Sequence, residues 1–197
     1  MTASARGGGP TVLVVDDEAA FAESAAHWLA EDYDVRVATD GDEAIEAYTG
    51  EVDAVLMDRR MPRTTGDEAL EVIAEQRGRT GVAVMSAVEP DFDVLELEFD
   101  EYLRKPVRKQ DVLETTEKLV RRAQYPRAVR EILALAGAIE ALGERYSRQK
   151  LAADERYQDL VDELASRTEV VSADQSVLHE ADAARFADDF DATLRHR

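Results

Sequence analysis

Thr11-Val12-Leu13-Val14-Val15-Asp16-Asp17-Glu18 decides the reading of this chain. Its apolar residues run without polar alternation, the pattern of a strand covered on both faces of a parallel sheet. The run stops at two adjacent carboxylates. Four further short runs, at residues 33–38, 54–57, 81–85 and 101–104, are also rich in Val or Leu and mostly lack strict polar alternation.

The stretches between these runs have helical periodicity. Residues 19–31 place Phe21, Ala25, Trp28 and Leu29 on one face, and Trp28 is expected to pack that helix on the sheet. Residues 42–48 form a second helix that Asp40 is placed to cap. Residues 67–76 form a third, with Leu70, Val72 and Ile73 pointing inward. Only residues 91–99 are available for a fourth, and that stretch is short and acidic, enough for a single turn or part of a loop. A fifth begins near Lys109 and runs through Val112, Leu113, Leu119 and Val120. Five strands alternating with helices predict a doubly wound α/β fold, with ligands at the carboxyl ends of the strands.

Tyr125-Pro126 interrupts the helical pattern, because a proline disfavours helix at the residue before it. Beyond it, Ile132, Leu135, Ile139, Leu142 and Tyr146 recur at the three- and four-residue spacing of a coiled-coil seam. The phase slips at 149–153, and Tyr157, Leu160 and Leu164 resume it. The seam can zip two chains together, giving a homodimer, or fold back as a hairpin. Ser172 and Gln175 have the spacing of a capping box that would start a last helix bearing Phe186, Phe190 and Leu194. The expected organisation is a disordered tail over 1–9, an α/β domain over 10–123, and a small all-helical, partly coiled-coil domain over 124–197.

The composition narrows the function. The 197 residues are 45% hydrophobic and include no Cys, which excludes disulfide scaffolds and thiolate metal sites. No run of about 18 apolar residues is present, so no membrane span is expected, and the small Gly-rich opening lacks the apolar core of a signal peptide. A cytoplasmic protein is the expectation. With 43 acidic and 24 basic residues the net charge is −19. Such an excess of carboxylates suits a protein working where salt screens charge strongly, and a salt-loving source is expected. Residues 1–123 carry 28 acidic and 14 basic groups, and residues 124–197 carry 15 and 10. Neither region has the basic stripe that neutralises nucleic-acid phosphates. His27, His179 and His196 share no metal-ligand spacing.

The chemistry lies at the strand ends. Asp16-Asp17 ends the first strand, Asp58 the third, Ser86 the fourth and Lys105-Pro106 the fifth. A parallel sheet gathers them at one rim. Three carboxylates there call for a hard cation, and Mg²⁺ takes oxygen ligands while keeping positions open for water and phosphate. Lys105 supplies an ammonium and Ser86 a hydroxyl. An acceptor carboxylate, a metal, a cation and a hydroxyl meet the needs of phosphoryl transfer, mainly positioning and charge neutralisation.

The runs Val12 to Glu18, Leu56-Met57-Asp58-Arg59-Arg60-Met61-Pro62, Val84-Met85-Ser86-Ala87 and Tyr102-Leu103-Arg104-Lys105-Pro106 resemble the receiver domains of two-component response regulators. The resemblance covers roughly residues 11–123, and the C-terminal part is similar, more loosely, to the helical HalX domain that follows receivers in halophilic archaea. It implies a flavodoxin-like sheet of strand order 2-1-3-4-5. Asp58 would be the phosphoacceptor, taking its phosphoryl group from a sensor histidine kinase. Asp17, Asp16, Asp58 and the backbone carbonyl of Arg60 would hold Mg²⁺. Ser86 and Lys105 would bind the phosphoryl group, Lys105 sharing the catalytic role with Asp58, and Tyr102 would be the switch aromatic. The family's readout face is formed by its fourth and fifth helices with the fifth strand, so a shortened fourth helix alters that face here. The bulky Arg60, two residues past the acceptor, is expected to affect the lifetime of the phosphorylated state.

Two other functions stand beside this one. A DNA-binding transcription regulator could share the same receiver, although no basic recognition helix is visible. A phosphatase built on a similar rim would carry an Asp-x-Asp motif, which Asp16-Asp17-Glu18 does not match. The expectation is a switch that catalyses only its own phosphorylation and dephosphorylation.

Overall fold

The computed structural model describes residues 9–92, 97, 99–173, 186, 187 and 190. Five parallel strands form one sheet of order β2-β1-β3-β4-β5: β1 (Thr11–Val15), β2 (Asp34–Ala38), β3 (Val52–Asp58), β4 (Gly81–Ser86) and β5 (Glu101–Arg104). The three inner strands are buried on both faces, as their unbroken Val, Leu and Met runs require, whereas the edge strands β2 and β5 are half-exposed.

Helices α1 (Ala19–Leu29), α2 (Gly41–Ala47), α3 (Gly66–Ala74) and α4 (Lys109–Arg122) cover the two faces of the sheet. α2 starts at Asp40, whose side chain accepts from the Glu43 backbone N–H, as the sequence predicts. α3 starts at a capping box in which Thr65 and Glu68 satisfy each other's backbone N–H. Each such cap contributes about 1 kcal/mol. On α1, Ala22, Ala25 and Leu29 are buried, while Phe21 and Trp28 pack edge to face at the margin of the same core. One inward assignment is corrected: Val72 is 39% exposed. The buried face of α3 is Ala69, Leu70 and Ile73, so position 72 falls on the opposite side.

Beyond Pro126 come α5 (Arg127–Arg145), α6 (Arg148–Ala152) and α7 (Glu155–Ala173). The phase slip at 149–153 is the break between α5 and α7, bridged by the short α6. The seam closes within the chain: Ile132 and Ile139 pack with Leu164 and Val171 of α7. Its next turn faces the sheet, with Ala138, Leu142 and α6's Leu151 in one core with Val55, Val82, Val84 and Phe99. α5 lies so close to the strand β5 entrance that a Cβ at Gly137 would come within 2.8 Å of the Asp100 carbonyl oxygen. The C-terminal helices therefore continue the core of the α/β domain.

Two expectations about the ends of this region fare differently. Ser172 lies within α7, and Gln175, its expected partner in the capping box, lies outside the described residues. Of the expected last helix, Phe186 and Phe190 pair their rings at 5.6 Å against the α5–α7 core, and Leu194 lies outside the described residues. Residues 1–8 and most of the stretch expected to hold the short fourth helix, 93–96 and 98, also lie outside them.

Candidate phosphoacceptor site

Strand register assembles the site. β1 and β3 pair Val15 with Met57, which sets Asp16 and Asp58 side by side at the carboxyl edge. β3 pairs with β4 through Asp58 and Met85, one residue before Ser86. β4 pairs with β5 through Ser86 and Arg104, and the Lys105 N–H then donates to the Ser86 carbonyl at 2.8 Å. Residues nearly ninety positions apart in sequence thus share one rim.

Asp16 is 0% exposed, Asp58 5% and Ser86 1%, whereas Asp17 faces solvent. Lys105 reaches between the buried pair, its Nζ donating to Asp16 Oδ2 at 2.6 Å and to Asp58 Oδ2 at 2.7 Å. The other oxygens accept backbone N–H groups, Asp16 Oδ1 from Glu18 and Asp58 Oδ1 from Arg60, each at 3.0 Å. Burial pushes the Asp16 carboxyl above its ordinary value, and Lys105 offsets this only in part. Burial is the largest single influence on Lys105 and works against its charge, but the hydrogen bonds and negative charges of Asp16 and Asp58 together outweigh it and raise its pKa. One oxygen from each of Asp16, Asp17 and Asp58 lies within 4.8 Å of the others. This hard, anionic oxygen set fits Mg²⁺, which favours carboxylates and retained water.

The sequence-predicted residues Asp16, Asp17, Asp58, Ser86 and Lys105 are all at this rim. Tyr102 sits farther along the edge, its hydroxyl donating to the Val88 carbonyl at 2.6 Å and its ring edge-on to Phe99. The Arg60 side chain, two residues past Asp58, is exposed.

Sequence reasoning missed the scaffold of the loop between β3 and α3. Arg59 is buried and its guanidinium grips Asp67 of α3 in a bidentate pair, with Nε to Oδ1 at 3.0 Å and Nη2 to Oδ2 at 3.1 Å. Gly66 N–H donates to the Arg59 carbonyl at 3.1 Å. Arg63, in the left-handed region at φ 67°, pairs with Asp40 at the start of α2. The capping signal Thr65-x-x-Glu68 was the one cue to this geometry.

The family model for the response regulator receiver domain matches residues 12–117. The chain belongs to the response regulator receiver family. A provisionally named transcriptional regulator of Haloferax volcanii is 42% identical over 171 residues, covering 86% of this chain and 28% of its own length. The chain thus spans just over a quarter of that relative. Among solved structures, a CheY-like response regulator receiver domain protein from Methanospirillum hungatei JF-1 superposes with TM-score 0.52 at 28% identity, covering 58% of this chain and 96% of its own. The response regulator protein TrrA of Thermotoga maritima, solved with Mg²⁺ and BeF, gives 0.50 at 28% identity over 56% and 98%. The receiver is that of a two-component response regulator.

Proposed function

We propose that Asp58 accepts a phosphoryl group from a phosphohistidine of a sensor histidine kinase, with Mg²⁺, and that the C-terminal helices carry the output. The observation behind this is the meeting of Asp58 with Asp16, Asp17, Ser86 and Lys105 at one sheet edge. An Asp58 carboxylate oxygen attacks phosphorus; the P–N bond to the imidazole breaks, and the histidine keeps that electron pair and takes up a proton. Lys105 transfers its hydrogen bonds to the phosphoryl oxygens, and the Ser86 hydroxyl donates to another. Mg²⁺ would be held by Asp16, Asp17, Asp58 and the Arg60 carbonyl, and when bound it supplies neutralising charge. The chain is a phosphoacceptor switch, acting only in its own phosphorylation and dephosphorylation. Arg60, exposed two residues past the acceptor, sets the lifetime of the phosphorylated form; an unchanged dephosphorylation rate in Arg60→Ala overturns that role.

Incubation with acetyl phosphate and Mg²⁺, followed by intact-mass measurement, tests the acceptor. One added phosphate is expected in the wild type and none in Asp58→Asn; equal labelling of both sinks the assignment.

We read the C-terminal region as HalX-type and the protein as cytoplasmic, from a halophilic archaeon. The acidity supports this, as does an alignment with the Haloferax volcanii protein that extends well past the receiver. Among the described residues no helix is long and apolar enough to cross a membrane. A homodimer through these helices would use surfaces other than Ile132, Ile139, Leu142 and Leu164 of the seam, which are buried within the chain. Sedimentation with and without acetyl phosphate measures it. A DNA-binding output is the second reading, favoured by the name of that relative. A gel shift at high salt, negative in both phosphorylation states, would remove it.

A further inference from the structure

Between the site and the C-terminal helices runs the segment from Ser86 to Phe92. Ser86 Oγ accepts the Val88 N–H at 3.1 Å, and the Tyr102 hydroxyl donates to the Val88 carbonyl at 2.6 Å. Val88 is thus held on both sides by the two residues matched to the family's switch. The next four residues are held by the C-terminal helices. At the end of α5, Arg145 Nη1 donates to the carbonyls of Glu89 and Pro90 at 3.1 and 2.9 Å and lies 3.4 Å from the Asp91 carboxylate. Tyr146 donates its hydroxyl to Asp91 at 2.7 Å and stacks on Phe92 at 5.3 Å. Lys150 of α6 lies 3.7 Å from the Tyr146 ring centroid, and Arg156 of α7 lies 4.5 Å from that of Phe92.

We infer that residues 89–92, gripped by Arg145 and Tyr146, pass the state of Asp58 to α5, α6 and α7, and that phosphorylation loosens this grip. The inference rests on Asp58 being the phosphoacceptor. If Ser86 Oγ moves to donate to a phosphoryl oxygen, the Val88 N–H it holds either follows or is released, and the Tyr102 bond to Val88 changes with it. The carbonyls of Glu89 and Pro90 are one and two residues away, and hydrogen bonds weaken steeply with misalignment. α5 is unable to follow them. Its Gly137 abuts the Asp100 carbonyl and its Ala138 and Leu142 are fixed in the sheet core. A displaced segment therefore breaks its contacts with Arg145 and Tyr146 rather than carrying them along.

Hydrogen–deuterium exchange on the full chain, with and without Mg²⁺ and beryllofluoride as the acyl-phosphate mimic, tests this. In the wild type, residues 142–157 should exchange about tenfold faster with the mimic, the scale set by losing one charge-assisted hydrogen bond. Arg145→Ala and Tyr146→Phe should exchange at the faster rate without the mimic and respond little to it. If Arg145→Ala fails to fold, Tyr146→Phe, which loses one hydroxyl, carries the comparison. Protection around residues 16–18 and 58–66 with no change at 142–157 overturns the inference and leaves the phosphoacceptor reading standing. No protection around Asp58 overturns that reading, and this inference with it.

Discussion

Gly66 is packed against Asp58 so tightly that a Cβ at position 66 would overlap the Asp58 carbonyl oxygen and come within 2.9 Å of the Arg59 Cα. The first residue of α3 thereby packs directly on the Asp58 backbone. Both neighbours are backbone, which has no rotamer with which to yield. Gly66→Ala should cost about 1–3 kcal/mol, the range for overpacking a filled core, and should slow labelling of Asp58 by acetyl phosphate. Urea unfolding and intact mass measure the two effects; wild-type values for both would show that α3 does not fix the acceptor.

Lys105 holds together two carboxylates that would otherwise repel each other, and one of them, Asp16, has no solvent contact. Lys105→Met should destabilise the metal-free protein by about 2 kcal/mol, less than for a fully buried pair because Lys105 keeps some exposure. The lost cation also leaves more negative charge for Mg²⁺ to neutralise. The melting temperature of the variant should therefore rise more on adding Mg²⁺ than that of the wild type. An equal or smaller rise would mean that Lys105 and the metal do not compete for the same carboxylates.

The strands and the rim were legible because each depends on local signals. Runs such as Val12 to Val15 suit strands covered on both faces of a parallel sheet, and polar residues at their ends then share an edge whatever their sequence distance. Partners across elements were not legible. The spacing of Ile132, Ile139 and Leu142 shows that α5 has an apolar face, but periodicity carries no information on whether a second chain, α7 or the sheet covers it. In the structure α7 covers Ile132 and Ile139, and the sheet takes Leu142. The Arg59–Asp67 pair was hidden for a similar reason. Its members are joined by a turn whose path, including the left-handed Arg63, no pattern of residue types specifies.

The charge of −19 should make the fold salt-dependent. Self-repulsion among the carboxylates destabilises the compact state, and salt shortens its range to about 3 Å at 1 M. Stability should rise steadily from dilute buffer to molar KCl. Urea midpoints that stay level across that range would remove the argument for a high-salt habitat.

Tyr146 and Asp91 give the grip on the 89–92 segment a pH signature. The Tyr146 hydroxyl, then the Phe92 N–H, with help from Arg145 and Lys150, hold the Asp91 carboxyl below its ordinary value of 3.8. A carboxylate with a lowered folded pKa contributes stability that is complete above the unfolded value and lost as pH falls through the folded one. The contribution should therefore be whole at neutral pH and disappear progressively below about 3.8. Tyr146→Phe removes the largest cause, so Asp91 should titrate higher in the variant, as read from its side-chain carbonyl resonance. The stability gap between wild type and variant should be widest at neutral pH and narrow below pH 4. A gap that stays constant through that window would show that the Tyr146 hydroxyl does not act through the charge of Asp91.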